Sequence, residues 1–271
     1  MPEALDEHRH RPGPHPWWTE WWELVFWAGD ASLAGSVRLT LVPDAGRAWY
    51  WADVVGTGRP LVSARDDEVE LPRSRALEVR AEGLWSALTC ETPLEHWSVG
   101  LEAFAVALDD PDEALAGARG DRVALGFDLE WEAAGEARDT APVGLGAGGR
   151  RYEQAAAVHG DVLVGTERVQ LDCPGWRARG WGPADWSSPW RWTVARVGPD
   201  GQALSLVGPR ADATVEELER APVAVREPGG SVLGRLERSL CRVVAGAGAE
   251  GFGWSESYRP AAGSVSPDDA R

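Results

Sequence analysis

The chain has 271 residues, 44% of them hydrophobic and 26% charged, a globular composition that supports one large domain or two of ordinary size. Every cation is Arg, and 43 acidic residues against 27 basic ones leave a formal net charge of −16. Such a chain repels phosphate backbones, which excludes nucleic acid as a partner.

Residues 1–16 carry four Pro, three His and no apolar period, and read as a mobile N-terminal arm. His8, His10 and His15 fit a solvated tail better than a metal site. From Trp17 the dominant signal is period two. "GSVRLTLV" sets Val37, Leu39 and Leu41 against Ser36, Arg38 and Thr40; "PDAG" is a turn; "RAWYWADVV" returns with Trp49 and Trp51 on one face. "ALEVRAEGLWSALTC", "WSVGLEAFAVAL" and "DRVALGFDLEWEA" continue the pattern, and only "DDPDEALAGARG" (109–120) looks helical. The stretch 134–150, with five Gly and no period, is the candidate boundary. Strand-like pieces resume with "YEQAAAVHG", "DVLVGTERVQL", "WRWTVARV", "QALSLVG" and "APVAVRE". "SVLGRLERSLCRVVAGA" (231–247) is compatible with helix or strand, and "EGFGWSESY" reads as a final strand. Many short strands almost without helix indicate a barrel or sandwich.

Cys90, Cys173 and Cys241 lie far apart, without metal-ligand or redox spacing, and suggest buried thiols in a reducing compartment. The N-terminal stretch lacks the apolar segment of a secretion signal, and no run approaches about 18 apolar residues. The expectation is a cytoplasmic protein with no integral membrane segment. His96 and His159 lie in different halves without ligands at metal spacing, so no metal site is expected. "GLGAGG" (144–149) follows no strand and opens no helix, which makes it a linker rather than a phosphate loop.

Sixteen Trp is several times ordinary usage. Phe26, Trp27 and Trp131 are assigned to the core. "WWTEWWELVFW" (17–27) places Trp17 and Trp21 on one strand face and Trp18 and Trp22 on the other. A small barrel buries indoles on both faces only if a second domain packs outside or one set lines a cavity. "WRARGWGPADWSSPWRW" (176–192) holds Trp176, Trp181, Trp186, Trp190 and Trp192 with Arg and Asp between them. Part of this set, with Trp21, Trp49 and Trp51, is expected to line a pocket for an apolar small molecule, with Arg177, Arg179 and Asp185 as polar fixtures. Pure packing is the alternative.

The order of these stretches, from "WWTEWWELVFW" through "RVALGFDLEWEA" and "RYEQAAAVHGDVLV" to "GWRARGWGPADWSSPWRW", resembles the carotenoid 1,2-hydratase (hydroxyneurosporene synthase) superfamily, in particular its actinobacterial relatives with two lipocalin domains. The resemblance covers most of residues 17–258. It implies an all-β fold of two lipocalin-like antiparallel β-barrels or half-barrels packed in tandem; with the boundaries read from composition this gives an arm 1–16, a first domain 17–134, a linker 135–150, a second domain 151–259 and a flexible tail 260–271. It also implies an apolar ligand (isoprenoid, polyene or steroid-like) and no cofactor. The family motif Asp-His-(Glu or Ser)-Trp-Gly is matched at Trp181 and Gly182, and its W-x-W strand at Trp190 and Trp192. Its acidic, His and Glu/Ser positions are Ala178, Arg179 and Gly180 here. Ala178 cannot protonate an alkene, as the acid at that position is implied to do in the hydratases.

Another acid must then serve. A carboxyl in apolar surroundings has a raised pKa and donates, and indole faces stabilise the resulting cation. Asp185, between Trp181 and Trp186, is the first choice; Glu153, Glu20, Asp53 and Glu256 are weaker ones. The reading is cofactor-free cyclisation, isomerisation or hydration, with a non-catalytic carrier as the alternative. Ring closure in a shaped apolar pocket, which the resemblance permits, needs no acid.

Overall fold

The structure is a computed structural model that describes residues 1–72, 76–117, 119–227, 230–246 and 248–262. Most of the expected tail (263–271) lies outside the described residues. Eleven strands form the larger sheet: β1 (Trp18–Trp27), β2 (Ala34–Val42), β3 (Arg47–Val55), β4 (Leu61–Glu70), β5 (Leu77–Ala81), β6 (Leu84–Thr92), β7 (His96–Leu108), β8 (Asp121–Ala133), the two-residue β9 (Arg138–Asp139), β10 (Arg150–Val164) and β11 (Glu167–Pro183). Its order is β4-β3-β2-β1-β11-β10-β8-β7-β6-β5, every pair antiparallel. Leu61 opposite Leu108 and Ser63 opposite Val106 join β4 to β7 and close eight strands into a barrel. Six strands make the second sheet: β12 (Trp190–Val197), β13 (Gln202–Val207), β14 (Ala213–Arg220), β15 (Val223–Arg226), β16 (Val232–Ala245) and β17 (Ala249–Pro260). The fold is all-β, as the period-two signal predicts, and the ambiguous 231–247 stretch is strand β16, held in register along β17.

The halves divide differently from the sequence expectation. β10 and β11 belong to the barrel, not to the second sheet: β11 lies along β1 from Pro183 opposite Trp18 to Gly175 opposite Phe26. The physical reason is closure, since β1 needs a partner on its second edge. The chain crosses to the second sheet after Pro183. The expected linker carries β9 and a bridge from Leu145 to Ala184. "DDPDEALAGARG" forms only a 3-10 turn, Pro111–Ala116, because its Pro and Gly leave room for nothing longer.

Burial of both faces of β1 now has its explanation. Trp22, Leu24 and Phe26 point into the barrel core with Trp97, Phe127 and Trp131. Trp21, Val25 and Trp27 point outward and are covered by Trp192, Val194, Leu240 and Trp254 of the second sheet. The second sheet thus acts as a lid on the outside of the barrel. Most of the indole surplus goes into this interface.

Residues 1–16 are not a loose arm, as expected, but pack on one end of the barrel. A 3-10 turn at Ala4–Glu7 buries Asp6 and Glu7, and Arg179 donates to the carbonyls of Asp6 (2.7 Å) and His8 (2.6 Å). No apolar period announces this docking because it is made by charges and carbonyls. Among the described residues, no helix is long and apolar enough to cross a membrane.

Candidate active site between the two sheets

Strand alternation puts Trp21 and Glu23 of β1, Arg38 of β2, Trp51 and Asp53 of β3, and Arg151 and Glu153 of β10 on the barrel's outer face. The second sheet brings Trp192 (β12), Arg238 (β16) and Glu256 (β17) down onto them. Arg238, with no exposure, is the keystone. Its Nη2 donates to Glu23 Oε1 (2.8 Å), its Nη1 to Asp53 Oδ2 (2.8 Å) and its Nε to Glu256 Oε1 (2.9 Å). Arg38 Nη1 donates to the other oxygen of Glu23 (2.7 Å), and Arg65 Nη2 to the other oxygen of Asp53 (2.8 Å). Arg151 pairs with Glu153 Oε2 (3.0 Å), which also accepts from Trp192 Nε1 (2.8 Å).

Two of these carboxyls are pushed apart. Burial, then the negative charge of Glu256, raises Glu23 to about 7 against the pull of Arg38 and Arg238. Glu256, equally buried, is held below its ordinary value by Arg238 and by its hydrogen bond with Glu23. Of the two, Glu23 is the one that keeps a proton to higher pH. Around Glu23 stand Trp21, Trp186, Trp190 and Trp192, which close a cavity of about 20 Å³ together with Val143 and Gly144. A cavity needs roughly 10–15 Å³ to hold one water. The Trp21 indole lies between two guanidinium groups, 4.4 Å from Arg38 and 5.9 Å from Arg151. The indole N–H groups of Trp186 and Trp190 are buried without a partner. A loop contact, Asp185 N–H to Gly144 C=O (3.0 Å), closes the cover. A carboxyl raised to about 7, a water-sized space and four indoles form an arrangement suited to proton donation onto an apolar substrate.

The expected site residues are dispersed by strand alternation. Trp21, Trp186, Trp190 and Trp192 come together at Glu23. Trp49 and Trp51 stack beside them (6.1 Å), Trp49 reaches Trp186 (5.8 Å), and Trp51 donates to Asp67 (2.6 Å). Trp176 and Glu153 line a different, 710 Å³ crevice between β10, β11 and β13. Arg177 and Arg179 face the opposite side of β11, into the barrel end, where they bind the arm and Glu20 rather than any fixture near Trp186. Trp181 lies there too, stacked on His10 at 4.2 Å. Asp185 accepts from the N–H (2.9 Å) and Oγ (2.6 Å) of Ser187, contacts that hold its carboxyl below the ordinary value despite partial burial. An ionised Asp185 is no proton donor at neutral pH. Glu23 is the residue the sequence reading missed; its signal was a carboxylate in mid-strand, on the same face as Trp21. Among the described residues, no three His, Cys, Asp or Glu side chains group as a metal site.

Residues 3–207 match the family model described as Domain of unknown function (DUF7064). The chain belongs to this family. No curated protein matches it. Among solved structures, this DUF7064 protein is similar to a candidate AttH (NE1406) from Nitrosomonas europaea, at 10% identity and a TM-score of 0.54, over 94% of this chain and 95% of the other. It is also similar to kievitone hydratase from Nectria haematococca, at 13% identity and a TM-score of 0.50, over 95% and 92%. These likenesses establish a shared fold, one that a solved hydratase also adopts.

In this DUF7064 chain Ala178 lies directly between two carboxylates, opposite Glu23 on one neighbouring strand and opposite Glu153 on the other. Acidic groups thus flank Ala178 on both sides. Gly180 has a packing role, because a Cβ there would stand 2.5 Å from Cζ2 of Trp21. Gly180→Ser is expected to destabilise the protein by about 1–3 kcal/mol through overpacking. Thermal melting of the two proteins in parallel checks this, and an unchanged Tm would contradict the assigned contact.

Proposed function

We propose that the protein binds an apolar small molecule, of isoprenoid, polyene or steroid-like type, between its two sheets and performs a cofactor-free, proton-initiated reaction on it: hydration, isomerisation or cyclisation. The observation that carries this reading is the fully buried Glu23 among four indoles, its carboxyl pushed up to about 7 by burial and by the charge of Glu256. Glu23 donates its proton to one alkene carbon, whose new C–H bond takes the π electrons. The indole faces stabilise the cation left on the neighbouring carbon. Water then adds to that carbon and returns a proton to the Glu23–Glu256 pair, or loss of an adjacent proton completes an isomerisation. Arg38 and Arg238 fix the acid, and the loops carrying Val143–Gly144 and Trp186 open to admit substrate. Asp185, held ionised, has no part in the chemistry, and Glu153 positions Arg151 and Trp192. The resemblance to carotenoid hydratases supports the ligand class, and the three free thiols fit a cytoplasmic setting.

The carrier reading is favoured by one feature, the 710 Å³ crevice beside Trp176, which has room for a guest away from the acid. Native mass spectrometry with lipid extraction of fresh protein identifies a co-purifying molecule. Incubating that molecule with the protein in D2O then separates the readings. Wild-type protein should introduce solvent deuterium, and Glu23→Gln should reduce the rate at least a hundredfold. Recovery of the molecule unchanged and unlabelled from wild-type protein would leave only the carrier.

A further inference from the structure

At the arm end of the barrel a carboxylate is bound as a ligand would be. The Glu7 side chain has no exposure. Its Oε1 accepts from the Leu94 N–H (2.9 Å) and pairs with Arg177 Nη2 (2.8 Å). Its Oε2 accepts from Arg177 Nη1 (3.0 Å) and Trp97 Nε1 (3.1 Å). All four donors belong to the barrel, and they grip both oxygens in the bidentate geometry typical of carboxylate recognition.

The receptor is organised without the arm. Arg177 Nε donates to Gln154 Oε1 (2.7 Å), whose amide in turn donates to the carbonyls of Leu94 (2.9 Å) and Gly135 (2.7 Å). Leu94 itself has a positive φ of 63°, a strained conformation for a Leu, in the turn that presents its N–H to Glu7. The arm, by contrast, anchors poorly by apolar burial. Its own Met1 and Leu5 are 94% and 76% exposed. It docks through the 3-10 turn Ala4–Glu7 and through polar contacts beyond it, Arg9 Nη1 donating to the Pro72 carbonyl (2.7 Å) and His10 lying against Glu20 and Trp181.

Beside the bound carboxylate lies a pocket of 220 Å³, whose apolar wall is Leu77, Ala87, Leu88, Cys90 and Trp97 and whose other wall is Glu7, His8 and Arg9 of the arm. That volume is below the roughly 300 Å³ at which small-molecule sites begin. Vacating the arm enlarges it at the end where Arg177 stands. We infer that this barrel end is a second ligand site, for a monocarboxylate with an apolar tail, and that Glu7 occupies it as a built-in competitor. The ligand's carboxylate takes the four donors of Glu7, its tail lies along Leu77, Leu88 and Trp97, and the arm is released. The site is on the inner face of β11 and does not depend on the chemistry proposed between the sheets.

The test uses decanoate, its methyl ester, and the full chain. Because the arm competes, decanoate affinity should rise on the order of tenfold in Glu7→Gln, which weakens the arm's hold on Arg177. It should fall back in the double variant Glu7→Gln/Arg177→Gln. In wild-type protein, decanoate should accelerate tryptic cleavage after Arg9, the readout that stands if a variant does not fold, and the ester should do neither. Equal binding of ester and acid, no gain in Glu7→Gln, or cleavage after Arg9 insensitive to decanoate would overturn the inference.

Discussion

Arg238→Met is expected to cost the protein about 3–5 kcal/mol at pH 8, the usual penalty for removing one partner of a buried ion pair, and to lower Tm by roughly 10 °C. Among the described residues, Arg238 is the one cation that touches Glu23, Asp53 and Glu256 together. Two of the three keep a second guanidinium: Asp53 retains Arg65 and Glu23 retains Arg38, at 2.8 and 2.7 Å. Glu256 is left with Arg38 at 3.8 Å and the Trp254 N–H at 3.3 Å. Because Arg238 and Glu256 come from the second sheet and Glu23 and Asp53 from the barrel, the loss also weakens the attachment of the lid. The orphaned carboxyls would take up protons more readily when folded than when unfolded, so the variant's stability should fall as pH rises. Its deficit against wild type should therefore shrink between pH 8 and pH 5. Melting curves across that range decide the matter, and a deficit that is constant with pH would mean that the substitution harms packing rather than charge balance.

The strands were legible because alternation is a local property. Val37, Leu39 and Leu41 announce their strand without reference to anything distant. What could not be read is which strands meet. β11 looked like part of a second domain because "GLGAGG" precedes it at 144–149, yet its partner is β1, more than a hundred residues earlier. The Arg238–Glu23 contact spans 215 positions, and Arg177 reaches Glu7 across 170. Single-strand patterns carry no trace of such pairings, so the arm read as loose and nothing set Glu23 apart. Asp185 is a case of another kind. An Asp two residues before a Ser forms a local hydrogen-bonded turn, and that turn was visible in "DWS". Strand parity alone, applied strictly, also puts Arg177 and Arg179 on the face opposite Trp176.

Replacing Glu23 by Gln should stabilise the protein at pH 8, against the ordinary expectation for a residue with two Arg partners. The sign follows from proton counting. The folded chain keeps a proton on Glu23 up to about pH 7, whereas the unfolded chain releases it near 4.5. Between those values the folded state binds more protons, so wild-type stability falls as pH rises through the window. The contribution is fully present below pH 4.5 and is lost above 7, by up to about 3 kcal/mol at 1.36 kcal/mol per pKa unit. Glu256 has the opposite sign, since its depressed pKa adds stability above 4.5 that is lost in acid, so the two windows do not overlap. The amide side chain introduced by Glu23→Gln reproduces the neutral acid: its carbonyl accepts from Arg238 or Arg38 and its NH2 group donates to Glu256. It cannot ionise, so the variant's urea midpoint should match wild type near pH 4.5 and exceed it increasingly toward pH 8. A purely structural ion pair would behave the other way, with Glu23→Gln weaker at every pH above 5 for want of the charge. Parallel midpoints from pH 5 to pH 8, or a weaker variant throughout, would show that Glu23 is ionised at neutral pH and holds no proton to give a substrate.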